Sequence, residues 1–539
     1  MNKRTPIWLT IAIAVIALAA GLLIDRYCLK PTSRQNDGDK VKAIIDLIAN
    51  EYVDTVNLDN LMARSIPIIL SELDPHTNYY DAHAPKTNVD KLDGAIPEIG
   101  IAFIIINDTV YVESTIPNGP GDKAGIMPGD HIVTVDGKAV ASNKINAGDI
   151  TKQLSGPNGS KITLGVQRHG NDKTLDLTVT RNRISKKTID SYYMLDKTVG
   201  YIKINQFEHS TYQEFMQALS ELQKNGAKRY MIDLRGNGGG YMEIALLMVN
   251  EFLQPGDPIV SIRGRQKKNN HNYKSDGKGA YKNAEVAVLI DEYSASASEI
   301  MAGAMQDNDR GLIVGRRSYG KGLVQNDFTL PDSSVIRLAV ARYYTPSGRC
   351  VQKDYKQHGI HDYDNEVQER FKRGEVFNSD SIKIDKSQQF TTRHGRTIYG
   401  GGGIVPDIFV AYDLEGITNY FIDVENAGLL QRFAFTYCEN NREALNQMTD
   451  YKQFLRTTPI DKTIIKDFAD FAAANGIAPR WYYINQSRDV ILTRLKALIA
   501  RDIFGPTAFQ LILNNNDKTV QTALKALNRH KAAFPITRQ

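Results

Sequence analysis

The sequence predicts a mixed α/β chain of several domains: an N-terminal apolar helix, a short helical collar, a β-rich domain, an α/β core and a helical C-terminal extension. Three observations predict it. Between residues 94 and 183, apolar residues alternate in short runs separated by glycine and proline turns, the pattern of half-buried strands. Between 184 and 413, short continuous apolar runs alternate with helical stretches, as in an α/β core. From 414 to 539 the apolar residues recur at helical spacing only. A length of 539 residues accommodates such a series at about 150 residues per domain.

At the N-terminus (residues 1–30), Lys3 and Arg4 precede an unbroken apolar run from Ile7 to Ile24, whose only hydroxyl is Thr10. Eighteen residues rising 1.5 Å each span about 27 Å, enough for a hydrocarbon core. The positive flank stays inside, which places the body across a cell membrane, on the periplasmic side, as a single-pass protein. Ala17-Leu18-Ala19 offers the alternative of a cleaved signal peptide, but the run continues past it to Ile24, so an uncleaved anchor is expected. Cys28 follows Asp25, Arg26 and Tyr27, too polar and bulky for a lipoprotein site. Pro31 to Lys40 reads as a linker. In 41–93, Ile44, Ile45, Leu47 and Ile48, then Leu58, Leu61, Met62, Ile66, Ile69 and Leu70, predict two helices broken near Val53-Asp54 and closed by the turn Asp74-Pro75-His76. No chemistry is expected of these helices.

The β-rich domain (94–183) has strand patterns at 101–106, 109–112, 131–135, 162–166 and 175–179. Between them lie Gly119-Pro120-Gly121-Asp122-Lys123-Ala124-Gly125-Ile126, Pro128-Gly129-Asp130 and Val135-Asp136-Gly137. Over about 90 residues this resembles a PDZ domain. The resemblance implies capture of a peptide C-terminus by strand addition at a sheet edge, with backbone N–H groups on the carboxylate. The matching loop is Pro97-Glu98-Ile99-Gly100-Ile101, which makes Ile99, Gly100 and Ile101 the peptide-binding residues. Glu98 departs from the pattern, because such loops usually carry glycine there and a carboxylate repels a peptide's carboxylate. A purely structural role is the alternative.

In the core (184–413), strands are predicted at 199–204, 230–234, 259–262, 286–290, 312–314 and 335–344, and helices at 211–224, 242–252 and 298–306. The polar stretch 353–396 has no clear period and is expected to be an inserted loop or flap. The extension 414–539 is helical, carries no motif, and packs either on the core or on another subunit.

Composition narrows the chemistry. A net charge of +5 from 66 basic and 61 acidic residues gives no footprint for nucleic acid. Cys28, Cys350 and Cys438 are too few and too scattered for a disulfide framework or a cysteine zinc site, and ten scattered histidines form no H-E-x-x-H. The strongest local feature is Asp291-Glu-Tyr-Ser294-Ala-Ser296-Ala-Ser298-Glu299, between a buried strand and a helix. A serine there sits beside free N–H groups and the positive helix end. Ser298 alternatively reads as an N-cap. No G-x-S-x-G elbow is present, and the candidate base is Lys321 in Ser318-Tyr319-Gly320-Lys321-Gly322. The segment from Gly315 to Lys321 fits seven positions of a P-loop. Gly322 stands where Ser or Thr must hold magnesium, and a strand pattern follows instead of a helix, so a nucleotide site is excluded. Asp233-Leu-Arg235-Gly-Asn237-Gly-Gly-Gly240 joins another strand to a helix, and its glycines permit close backbone approach to a ligand.

These pieces together resemble the carboxyl-terminal processing peptidases, tail-specific serine proteases with a Ser–Lys dyad. The resemblance spans about residues 41–412. It includes Leu73-Asp74-Pro75-His76-Thr77, Tyr319–Gln325, Tyr344-Thr-Pro-Ser-Gly348 and Tyr399-Gly-Gly-Gly-Gly403-Ile-Val-Pro-Asp407. The 25-residue separation of Ser296 and Lys321 matches the family and selects the middle serine. The resemblance implies Ser296 as nucleophile, Lys321 as general base, Gln325 holding Lys321, and Gly240 and Ala297 as oxyanion N–H donors. No metal or organic cofactor is needed. Expected partners are proteins or peptides presented by their C-terminal region, the membrane, and possible further copies of the chain; nucleic acid is not one. A non-catalytic PDZ-type binding or scaffold protein on the same fold is the alternative.

Overall fold

The computed structural model describes residues 37–82, 97–106, 108–116, 118–140, 146–168, 173–184, 187–355, 359–457 and 462–529. The Ile7–Ile24 run lies outside the described residues, among which no helix is long and apolar enough to cross a membrane. The chain divides at Leu73 into two compact units. In the first, α1 (Asp37–Glu51) and α2 (Leu58–Ser71) are the two expected helices. Asn57 caps α2 by accepting the N–H of Asn60.

The second unit opens with a departure from the helical reading of 41–93. Asn78–Tyr80 is a strand, β1, held in an antiparallel sheet of the core. The Asp74 carboxylate sets its entry by accepting the N–H groups of His76 (2.8 Å) and Thr77 (2.9 Å) and the Thr77 hydroxyl (2.6 Å). The β-rich domain follows with β2 (Ile101–Ile106), β3 (Thr109–Thr115), β4 (His131–Val135), α3 (Ala147–Leu154), β5 (Lys161–Gln167) and β6 (Leu175–Thr180). The sheet order is β2-β3-β4-β5-β6, antiparallel throughout. Alternate residues such as Val110, Val112, Leu164 and Val166 bury one face, against Ile150 and Leu154 of α3. β2 is an edge strand.

The core contains β7 (Ser191–Met194), β8 (Val199–Lys203), α4 (Thr211–Lys224), β9 (Arg229–Asp233), α5 (Met242–Asn250), β10 (Pro258–Gly264), β11 (His271–Lys274), β12 (Glu285–Ile290), α6 (Ala297–Asp307), β13 (Leu312–Gly315), β14 (Leu323–Thr329), β15 (Val335–Tyr344), α7 (Gly359–Lys372) and β16 (Ile408–Phe409). The central sheet runs β7-β8-β9-β12-β13-β16. All its pairs are parallel except β7 with β8. Ile202, Ile232 and Val288 point into a core with α4, α5 and α6. Tyr201, Met231 and Leu289 point the other way, which explains their continuous apolar runs. A second, antiparallel sheet has the order β1-β15-β10-β11, with β14 also on β15.

The insert is not the featureless loop that its polarity predicts. It contains α7 and a hairpin of Gln389–Thr391 with Thr397–Tyr399. Its helix escapes hydrophobic periodicity because much of what it buries is polar: Arg370 is 1% exposed and Tyr363 2%.

The C-terminal helices α8 (Asn419–Asn426), α9 (Leu429–Asn440), α10 (Lys462–Ala474), α11 (Arg488–Phe504) and α12 (Pro506–Asn514) enclose a core of their own, with Phe433, Phe468, Leu495 and Ile499. The last helix, α13 (Lys518–Asn528), lays Val520, Ala523 and Leu527 on the second face of the central sheet. The extension also reaches the β-rich domain: Glu113 pairs with Arg501 and accepts from Gln431 (2.8 Å), and Tyr111 meets Phe435 edge-on. Within the chain, the extension therefore packs on both the core and the β-rich domain.

Candidate active site

The loops after β9 and β12 and the start of β14 converge on a cavity of about 1000 Å³, lined by Gly238, Gly239, Gly240, Ser296, Lys321 and Gln325 among others. Burial and hydrogen bonding distinguish the three serines after β12. Ser294 is buried, accepts the Asp291 N–H (2.9 Å) and donates to the Leu234 carbonyl (2.8 Å). Ser298 is buried and donates to the Asn237 carbonyl (2.9 Å). It is not the N-cap: α6 begins one residue earlier than its apolar pattern predicts, and Ser296 holds the cap position. Only Ser296 of the three lines the cavity. Its positive φ of +56°, with ψ −114°, lies where a residue with a Cβ is strained by about 1–3 kcal/mol.

The glycine loop is shaped to that serine. A Cβ on Gly239 would lie 2.7 Å from the Ser296 Cβ, and one on Gly240 2.1 Å from the Phe207 carbonyl oxygen. The loop is held by Asn237, which donates to the Ile204 carbonyl (2.9 Å) and accepts the Gly239 N–H (2.9 Å). Its carbonyl accepts the Ala295 N–H (3.0 Å). Among the described residues, the N–H groups of Gly240 and Ala297 donate to no carbonyl of these loops. At the start of the loop, Arg235 pairs with Asp233 (2.7 Å) and with Asp517 (2.7 Å), the cap residue of α13.

Lys321 lies in the irregular segment between β13 and β14. Burial, then the nearby Arg337 charge, pushes its pKa down; Glu299 and Asp74 oppose this. It has no ion-pair partner among the described residues. Two buried groups that the sequence reading left without a role fix it against Ser296. The Glu299 carboxylate accepts the Ser296 N–H (3.0 Å), the Lys321 N–H (2.8 Å), the Gly320 N–H (2.8 Å) and the Ser318 hydroxyl (2.6 Å). Burial pushes the Glu299 pKa up, against the pull of those donors. The Tyr343 hydroxyl donates to the carbonyls of Lys321 (2.6 Å) and Ser296 (3.2 Å). Glu299 had one sequence signal, its place three residues after Ser296 as in a capping box; Tyr343 had none.

Gln325 lines the same cavity, but its amide donates to the His76 carbonyl (2.5 Å). No hydrogen bond joins it to Lys321 among the described residues. The turn before β1 thus enters the site. The His76 ring bonds Tyr363 (2.8 Å), and burial together with Lys321 lowers its pKa to about 4. Lys353 is a second buried lysine, its pKa lowered to about 8, chiefly by burial. It does not line the cavity: its ammonium lies over the rings of Tyr319 and Tyr363 and donates to the Tyr363 carbonyl (2.9 Å). One cavity is thus lined by a serine and by a lysine whose amine burial pushes toward neutrality, the two residue types that base-assisted nucleophilic attack requires. Among the described residues, no group of three or more His, Cys, Asp or Glu is arranged to hold a metal.

In the β-rich domain, Ile99 is buried and its carbonyl accepts the Gly121 N–H (2.7 Å). Gly100 turns the chain with φ +74°, its carbonyl accepting the Ile116 N–H (2.9 Å), and Ile101 begins the edge strand β2. Glu98 pairs with Asn182 in a two-residue ladder outside that sheet.

The sequence profile of peptidase family S41 matches residues 198–362, that of the PDZ domain 97–179, and that of a family of unknown function 420–505. A carboxy-terminal-processing protease of Bartonella bacilliformis is 33% identical over 347 residues, covering 63% of this chain and 79% of the relative. The chain belongs to peptidase family S41. The carboxy-terminal processing protease CtpB of Bacillus subtilis is 32% identical over 326 residues, 60% of this chain and 67% of that one. A solved structure, a photosystem II D1 C-terminal processing protease, is 24% identical with a TM-score of 0.37, covering 74% of this chain and 93% of that one. By its profile matches and sequence relatives, this S41 chain belongs to the C-terminal processing serine proteases, with a PDZ domain and a helical C-terminal region.

Proposed function

We propose that this S41 protease is an endopeptidase that cleaves proteins near their C-termini by a Ser296–Lys321 dyad. One observation carries the reading: of three closely spaced serines, the one lining the lysine's cavity is the one whose two neighbours are buried and bonded to carbonyls. Neutral Lys321 takes the proton of Ser296 Oγ as the oxygen bonds to the scissile carbonyl carbon. The carbonyl π pair moves onto oxygen, where the Gly240 and Ala297 N–H groups receive it. On collapse the C–N bond breaks and the lysine ammonium protonates the leaving amine. Lys321 then deprotonates a water that hydrolyses the acyl-enzyme and restores Ser296. The PDZ edge strand β2, with Ile99, Gly100 and Ile101, takes the substrate tail as an added strand. The Ile7–Ile24 run anchors the chain with its body outside the cytoplasm.

The dyad is tested with purified protein and an unfolded protein substrate. Ser296→Ala and Lys321→Ala should each abolish cleavage, because members of one catalytic unit are strongly non-additive. Lys321→Arg should fail too, since a guanidinium stays protonated. Substantial activity in Lys321→Ala sinks the mechanism. For the anchor, protease shaving of intact spheroplasts should digest the body; protection until lysis reverses the topology.

A further inference from the structure

We infer that α7 of the insert braces the lysine loop, and that Arg370 is a positioning residue that acts through Lys321. The inference rests on the reading of Lys321 as the base. The backbone of residues 316–321 belongs to no strand or helix, so no ladder holds its carbonyls. Arg370 takes three of them in succession. Its Nη1 donates to the Arg317 (3.1 Å) and Ser318 (2.8 Å) carbonyls and its Nη2 to that of Tyr319 (3.0 Å), the residues directly before Gly320-Lys321. A planar guanidinium presents such a fork of donors, and a lysine ammonium does not. Arg370 is 1% exposed, so this geometry is fixed in a dry environment where unmet donors are costly.

Charge makes the arrangement mutual. One turn earlier on α7, Glu366 binds Arg370 (2.8 Å), Arg373 (3.2 Å), Arg317 (3.3 Å) and Lys353 (3.6 Å). Glu375 binds Arg317 (2.5 Å) and Arg373 (2.5 Å). Four cations thus face two carboxylates, and backbone carbonyl dipoles offset the excess: Arg370 on the loop, Arg317 on Gly402, Lys353 on Tyr363. The helix needs the loop's carbonyls as much as the loop needs the helix. Tyr363 of the same helix bonds His76, whose carbonyl holds Gln325, so α7 supports the site from two sides. A polar insert that looks like a flap is thereby part of what holds the base in register with Ser296.

The test measures kcat, KM and the pH dependence of kcat for Arg370→Gln and Arg370→Lys in the full chain, with folding followed by circular dichroism and Lys321→Ala alongside. Arg370→Gln should lower kcat by up to about 100-fold, the effect of a displacement of about 1 Å in a catalytic group, with KM nearly unchanged. The pH of half-maximal kcat should rise, because a loosened loop lets water reach Lys321, whose titratable and charged neighbours His76, Asp74, Glu299 and Arg337 belong to other segments. Arg370→Lys should fall between. Wild-type kcat and pH profile in either folded variant overturns the inference. Loss of fold in both overturns it as well, since Arg370 then serves the core. An active Lys321→Ala overturns the dyad itself; an inactive one beside wild-type-like Arg370 variants overturns only the brace.

Discussion

Replacing Glu299 by glutamine tests whether one buried carboxylate sets the distance between the serine turn and the lysine loop. The shapes match, so the effect is one of hydrogen-bond polarity. Oε2 accepts two backbone N–H groups, from Ser296 and Lys321, and Oε1 accepts the Gly320 N–H and the Ser318 hydroxyl. A glutamine must turn its NH₂ toward one of these pairs. Facing Ser296 and Lys321 it opposes two N–H donors that cannot reverse, so it should face Gly320 and Ser318. Ser318 already takes the Ile404 N–H (2.6 Å) on one lone pair, and accepts a second donor there only by turning its own proton away from residue 299. The Gly320 N–H is then orphaned at about 1–3 kcal/mol, and the remaining bonds lose their charge assistance. The expected loss is about 2–4 kcal/mol of stability, read by urea unfolding, with a fall of about tenfold or more in kcat and a smaller change in KM. A variant within about 0.5 kcal/mol and twofold of the wild type refutes the argument. Glu299→Ala is the control, since it orphans all four donors and should unfold the site.

Ser294→Ala and Ser298→Ala should both retain cleavage, with Ser294→Ala the less stable by about 1 kcal/mol or more in urea titrations: it orphans the Asp291 N–H, whereas the Asn237 carbonyl left by Ser298 keeps the Ala295 N–H. Equal stabilities, or loss of activity in Ser298→Ala alone, count against this assignment. His76 has a pKa of about 4 in the folded chain against 6.5 ordinarily, so the unfolded chain binds the extra proton between those values. Stability should be full above about pH 6.5 and fall as pH drops toward 4; His76→Gln should flatten that part of the profile, and an unchanged slope rejects it.

Sequence alone determined the elements whose burial is one-sided or two-sided. β8, β9 and β12 read as strands because both their faces are apolar, and β5 because its faces alternate; period and run length need no partner to be visible. It also singled out the serine cluster, Lys321 and the glycine loop, because strand-to-helix turns and runs of glycine are local signals. What it could not hold was polar and non-local. Arg370 and Glu366 read as part of a polar loop until α7 folds onto the lysine segment, because a charge is tolerated inside only when partners distant in sequence arrive with it. Gln325 donates to the His76 carbonyl, 249 residues away in sequence, and that partner exists only once β1 joins β15. Tyr343 and Asp517 act through the same kind of contact, one closing the serine and lysine carbonyls, the other bringing the last helix to Arg235. A hydrophobic pattern records which face a residue turns inward, whereas a buried hydrogen bond depends on where two distant backbones come to lie, and only the tertiary structure sets that.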